Sequence, residues 1–121
     1  MVDKEQPVIK EHLRGGEGHV VMYPILTESE LMGHATMYSR VVIPPHCSIG
    51  HHQHIGNTEP YYILKGEGVF TDADGSKVVV HAGDICKIEC GESHAIANES
   101  EEDLEMIALI INEGPKNGSS I

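Results

Sequence analysis

Four of the chain's nine histidines crowd between His46 and His54, and the run His52-Gln53-His54 is where chemistry begins. On a β-strand, residues two apart face the same side, so both imidazoles would project together. His51 then faces the other way unless a bulge intervenes. Glu59 follows His54 by five positions, the wrong parity for one straight strand. The Gly56-Asn57 pair resolves this, because it lets the chain turn and aim Glu59 back from the start of the next strand. His94 opens a further strand after the Gly91-Glu92-Ser93 turn. Three imidazoles and one carboxylate converging on one point would hold a single divalent transition metal, and this nitrogen-rich ligation suits Mn, Fe, Ni, Co, Cu or Zn. Four protein ligands on an octahedral ion leave two positions for water, substrate or dioxygen. The same histidines would equally suit a solvated loop or an outer strand face, and spacing alone leaves both readings open.

The elements that must position these groups are strands. From Val20 onward, short Val- and Ile-rich runs recur about every ten residues. They cover Val20–Tyr23, Ala35–Ile43, His51–Ile55, Tyr61–Leu64, Val69–Thr71, Lys77–His81, Ile85–Ile88, His94–Asn98 and Leu104–Ile111. Breaks such as Pro44-Pro45, Gly66-Glu67-Gly68 and Ala82-Gly83-Asp84 supply the turn residues between them. The pattern predicts an all-β sandwich or barrel. Only Thr27–Met32, with Thr27 and Glu30 spaced as a capping box, supports a helical turn or two. Residues 1–18 read as a loosely wrapping N-terminal arm, 19–112 as the single β-domain, and 113–121 as a flexible tail.

With 121 residues, 8 Lys+Arg and 19 Asp+Glu, the chain is one domain of net charge −11. That charge argues against nucleic acid or an anionic membrane as partner. Cys47, Cys86 and Cys90 are an odd, unpaired set, so they read as idle thiols rather than a disulfide framework. No apolar leader or span of about 20 residues occurs, and a cytoplasmic protein is the expectation.

His52-x-His54, four residues, Glu59, six residues and Gly66 resembles the first sequence motif of the cupin superfamily. Gly83, then Gly91, two residues, His94, three residues and Asn98 is similar to the second. The resemblance implies a single-domain jelly-roll β-barrel (the double-stranded β-helix), usually a homodimer. It implies His52, His54, Glu59 and His94 as ligands of one divalent metal per chain, Gly66, Gly83 and Gly91 as turn glycines, and Asn98 as a structural strand residue. Two positions depart from the pattern: His46 stands where the first motif has glycine, and Glu89 where the second has proline. Neither is a ligand position, and both bear on loop shape at the barrel mouth.

Functionally, the resemblance implies a metal-dependent enzyme acting on a small oxygenated molecule, of dioxygenase, decarboxylase, isomerase or lyase type. The alternative is a non-catalytic module that binds or senses a sugar or organic acid; a metal-free storage type sits badly with the intact ligand set. Turnover would need an acid or base beside the metal, for which the candidates are His46, Tyr38 and Glu89. Arg40 shares a strand face with Tyr38, either inside the barrel beside an anion or on the outer face. Tyr61 and Tyr62 cannot both point inward.

Overall fold

Valine, isoleucine and threonine runs separated by glycine turns fold into eleven strands in a computed structural model that describes residues 1–114. In chain order these are β1 (Val8–Glu11), β2 (His19–Leu26), β3 (Ala35–Ile43), β4 (Ser48–Gln53), β5 (Asn57–Thr58), β6 (Tyr61–Lys65), β7 (Gly68–Thr71), β8 (Lys77–Val80), β9 (Ile85–Cys86), β10 (Ser93–Ala97) and β11 (Leu104–Asn112). One sheet runs β1-β2-β3-β11-β6-β9, with β5 also paired to β11; the other runs β4-β10-β7-β8. Consecutive strands β3 and β4 lie in different sheets, and each pairs with a strand from the far end of the chain. That is jelly-roll connectivity.

Strand periodicity builds the core. Val41 and Ile43 of β3 alternate inward, as do Leu104, Met106 and Ala108 of its partner β11. Ile49, Phe70, Val80 and Ile96 meet them from the second sheet in one continuous cluster. The two sheets therefore face each other across a single apolar layer, as the all-β reading expects.

Asn98 closes one end of this layer. It is 1% exposed. Its amide donates to the carbonyls of Ile43 (2.8 Å) and Glu102 (2.7 Å), and its Oδ1 accepts from the Ser100 hydroxyl (2.7 Å) and backbone N–H (3.0 Å). The acidic run Glu99 to Asp103 is the solvated turn wrapped around it.

Several elements differ from the sequence-based expectation. The strand expected over His51–Ile55 lies at Ser48–Gln53, and that expected over Ile85–Ile88 shortens to Ile85–Cys86. Thr27–Met32 holds only a 3₁₀ turn over Ser29–Leu31, although its capping box forms through Thr27 N–H to Glu30 Oε1 (2.9 Å) and Glu30 N–H to Thr27 Oγ1 (3.2 Å). Arg40 takes the outer-face alternative, bonded to Glu5 and Glu105 at 2.8 Å each and lying over the Tyr23 ring. Within the segment read as a loose arm, β1 pairs with β2, and the chain at 12–18 docks on β4. Ser48 N–H donates to the Glu17 carbonyl and Glu17 N–H to Ser48 Oγ, both at 2.9 Å. A side chain on Gly16 would collide with the Ser48 carbonyl, and one on Gly50 with the Arg14 carbonyl. The tail expected at 113–121 lies outside the described residues from 115 on.

Candidate metal centre

His52 and His94 face each other across the β4–β10 ladder. They can do so because β4 carries a bulge. His94 pairs with His52 but Ile96 pairs with Ile49, so Gly50 and His51 oppose Ala95 alone. The extra residue changes the strand's parity. Ile49 stays in the core, His51 is exposed, and His52 still turns inward.

His54 lies just past β4, where the 91–93 turn holds its backbone: His54 N–H donates to the Glu92 carbonyl (2.9 Å) and Gly91 N–H to the His54 carbonyl (2.6 Å). Gly56 turns the chain at φ 75°, and Glu59 follows directly after β5. The Gly56-Asn57 turn thus performs the redirection read from the sequence, with β5 as an unforeseen two-residue strand that fixes it to β11.

The four side chains meet. His54 Nε2 lies 2.9 Å from His94 Nε2, which is 3.1 Å from His52 Nε2. Glu59 Oε1 is 3.1 Å from His54 Nε2 and 3.2 Å from His94 Nε2. His54, Glu59 and His94 are buried and His52 partly so, with all four donor atoms within 4.8 Å of one another.

Their surroundings dictate which ring atoms point inward. His52 Nδ1 donates to the Gly50 carbonyl at 2.7 Å, and His54 Nδ1 to Asn57 Oδ1 at 2.6 Å. Each bond fixes the tautomer and leaves Nε2 as a bare lone pair aimed at the centre. His94 is held differently. Its Nδ1 is buried without a hydrogen-bond partner among the described residues. Packing orients the ring instead: Tyr61 stacks on it at 5.0 Å between centroids and Phe70 meets it edge-on at 5.7 Å.

Converging nitrogen lone pairs repel unless positive charge sits among them. Bonds of about 2.1 Å place adjacent ligand atoms about 3.0 Å apart on a six-coordinate ion and about 3.4 Å apart on a tetrahedral one. The contacts of 2.9–3.2 Å match the six-coordinate spacing. The donor set and its spacing therefore suit one divalent transition metal with open positions.

The electrostatics agree. Burial alone would push the Glu59 carboxyl up, but hydrogen bonds and charge from His54 and His94 outweigh it and hold Glu59 below the usual carboxylate range. The hydrogen bond to Glu59 raises His54, against burial. Burial lowers His52. Protons compete with metal for imidazole nitrogen, and His54 takes up its proton at a higher pH than a free imidazole would. Metal affinity is accordingly expected to weaken progressively as pH falls through the imidazole range, the loss beginning at His54 before it would at a free imidazole. Metal titrations at stepped pH check this; a flat profile across that range contradicts it.

The cluster opens into a cavity of about 200 Å³ lined by His52, Glu59 and Tyr61, with apolar walls from Met22, Met37, Val41, Ile49, Ala108 and Ile110. That volume is below the roughly 300–1,000 Å³ of drug-sized pockets, so only a small ligand fits. Leu13, Lys10 and Arg14 complete the lining. Tyr61 is the tyrosine that points inward, its hydroxyl 3.5 Å from His94 Nε2; Tyr62 on the opposite face is exposed. Burial, followed by the Glu59 charge, raises Tyr61 well above a normal phenol.

The candidate acids and bases lie elsewhere. His46 is exposed, held at 2.7 Å by Glu101 on the acidic turn. Tyr38 borders a different groove, beside Leu26 and Thr36. Glu89 is exposed in the turn before β10. None of the three lines the cavity. Lys10 and Arg14 were missed by sequence reasoning, because their segment carries no strand periodicity or chemical motif to single it out.

Comparison with known proteins places this architecture. The family model for the cupin domain matches residues 39–110. The oxalate-binding protein of Thermotoga maritima is 45% identical over 100 residues, covering 83% of this chain and 82% of that protein. A crystal structure described as a predicted oxalate decarboxylase from Thermotoga maritima superposes with a TM-score of 0.87 at 42% identity, covering 93% of this chain and 99% of the other. A Cupin 2 conserved barrel domain protein from Salinispora arenicola shares the fold at a TM-score of 0.70 and 19% identity, covering 93% of this chain and 91% of the other. With the family motifs, the jelly-roll sheets and these likenesses in agreement, the chain belongs to the cupin superfamily as a small single-domain member.

Proposed function

We propose that His52, His54, Glu59 and His94 hold one divalent transition metal, and that the metal and its cavity bind a small carboxylic acid of the oxalate class. The observation that carries this reading is the cluster itself: oriented imidazoles and one carboxylate at six-coordinate spacing, opening into a cavity sized for a few heavy atoms. The bound ion would supply a Lewis-acidic seat for a carboxylate oxygen. The chain's own residues orient that seat through Gly50 and Asn57 and exclude water with the methionine and isoleucine walls. The likeness to a protein named for oxalate binding supports the ligand class.

Binding is favoured over turnover because His46, Tyr38 and Glu89 stand away from the cavity. One observation favours a metal-dependent enzyme as the second reading: the Tyr61 phenol lies inside the cavity, kept protonated by burial. Calorimetric titration of oxalate into metal-loaded protein is expected to show saturable one-to-one binding that disappears when a chelator strips the metal. Metal-loaded protein that ignores oxalate overturns the reading. Formate and carbon dioxide released in equal amounts replace binding by decarboxylation, in which the C–C bond breaks and the remaining carbon takes up a proton. The same reading keeps a cytoplasmic homodimer, whose association state sedimentation reports.

A further inference from the structure

The chain has 8 Lys+Arg against 19 Asp+Glu, yet two of those basic residues, Lys10 and Arg14, border the cluster's cavity. Glu59, committed to the cluster, is the acidic residue in that lining. Arg40 shows what an arginine of this acidic protein ordinarily does: it binds two glutamates. Arg14 makes no ion pair among the described residues. Its guanidinium is a planar fork suited to a carboxylate and has none from the protein.

Backbone contacts hold the segment that carries Arg14, whose side chain is exposed at the cavity's edge. The 12–18 turn rests on β4 through paired Glu17–Ser48 hydrogen bonds and the glycine contacts at Gly16 and Gly50. Gly50 is also the residue whose carbonyl orients His52. Arg14 itself sits at φ 56°, a left-handed conformation that non-glycine residues seldom adopt. Such backbone outliers concentrate where a side chain must be delivered to a site.

We propose that Arg14, with Lys10 beside it, forms the second half of the anion site, taking the far carboxylate of a small dianion whose near end lies at the metal. The cavity thereby selects dicarboxylates over monocarboxylates of similar size. This deepens the metal-centred carboxylate reading and rests on it.

The test uses the full-length protein loaded with Co²⁺, titrated calorimetrically with oxalate, malonate and acetate. Arg14→Gln is expected to weaken oxalate binding about 10- to 100-fold, the loss of a charge-assisted hydrogen-bond pair, while acetate changes by less than about threefold. Cobalt content and the visible spectrum before ligand addition stay as in the parent protein. Arg14→Lys keeps the charge without the fork and recovers part of the oxalate affinity. Arg14→Gly suits the positive φ, so it is expected to melt no lower than the parent while losing oxalate as Arg14→Gln does. Equal losses for oxalate and acetate, or unchanged oxalate binding in a fully cobalt-loaded Arg14→Gln protein, overturn the role of Arg14 and leave the metal reading standing. A parent protein that takes up no cobalt overturns the metal reading first, and this inference with it.

Discussion

Replacing His94 by alanine is expected to reduce bound metal from near one ion per chain to trace. Three of the four short contacts at the centre involve His94 Nε2. Its removal takes away the nitrogen that lies 3.1 Å from His52 Nε2 and leaves only three donors in the group. Metal that binds only the native state stabilises it by mass action, about 4 kcal/mol at a thousandfold excess over the dissociation constant. In a chain of this size that raises the melting temperature by on the order of 10–15 °C in the parent protein. The variant should show no such rise. It also loses the ring packed between Tyr61 and Phe70, so its metal-free form is expected to fall by about 2–4 kcal/mol. His52→Ala separates the two effects. That ring is only partly buried, so metal uptake should collapse while metal-free melting shifts by less than about 1 kcal/mol. Elemental analysis with paired melts, metal-free and metal-loaded, decides the matter. Undiminished occupancy in both variants removes these side chains from any metal site.

Asn98→Ala is the second large effect, and it acts on the fold alone. The substitution strands the buried Ile43 carbonyl, leaves the Glu102 carbonyl only its bond from the Ser100 hydroxyl, and takes the acceptor from the Ser100 N–H. A lost buried hydrogen bond costs about 1 kcal/mol, and an orphaned buried acceptor about 1–3 kcal/mol, so a loss of about 3 kcal/mol is expected. Denaturant melts should show a lower midpoint at unchanged slope. Asn98→Asp keeps the acceptor for Ser100 but forfeits both amide donors and buries a charge, and should be no better than alanine. A change below about 1 kcal/mol for both variants would show that the acidic turn does not depend on this side chain.

What the sequence made legible follows from what is periodic in it. The alternation from Ala35 to Ile43 and from Leu104 to Ile111 exposed the two long strands almost to the residue, because half-buried strands write their burial into every second position. The ligand group was legible because its spacing is a geometric requirement, and the Gly56-Asn57 turn resolved the parity of Glu59. The β1 strand was not legible: all four of its residues are exposed, so Val8 to Glu11 carry no inward face to alternate. The docking of 12–18 was hidden for a related reason. It is made by backbone against backbone at Gly16 and Gly50, contacts that need only the absence of a side chain. His46 and Tyr38 were plausible by residue type, but each sits on the outside of its element, where sequence chemistry has no means to show direction.

The doubled step in β4 lets the strand lose a residue without turning a ligand away. Because Gly50 and His51 together answer Ala95, excising His51 would restore an even ladder in which Ile49 still pairs with Ile96 and His52 with His94. The shortened strand would keep its first imidazole facing inward, because Ile49 and that histidine would then stand two apart on one face. In such a sandwich a ligand is then placed by the residue it pairs with across the ladder, not by the number of codons between it and the nearest core residue.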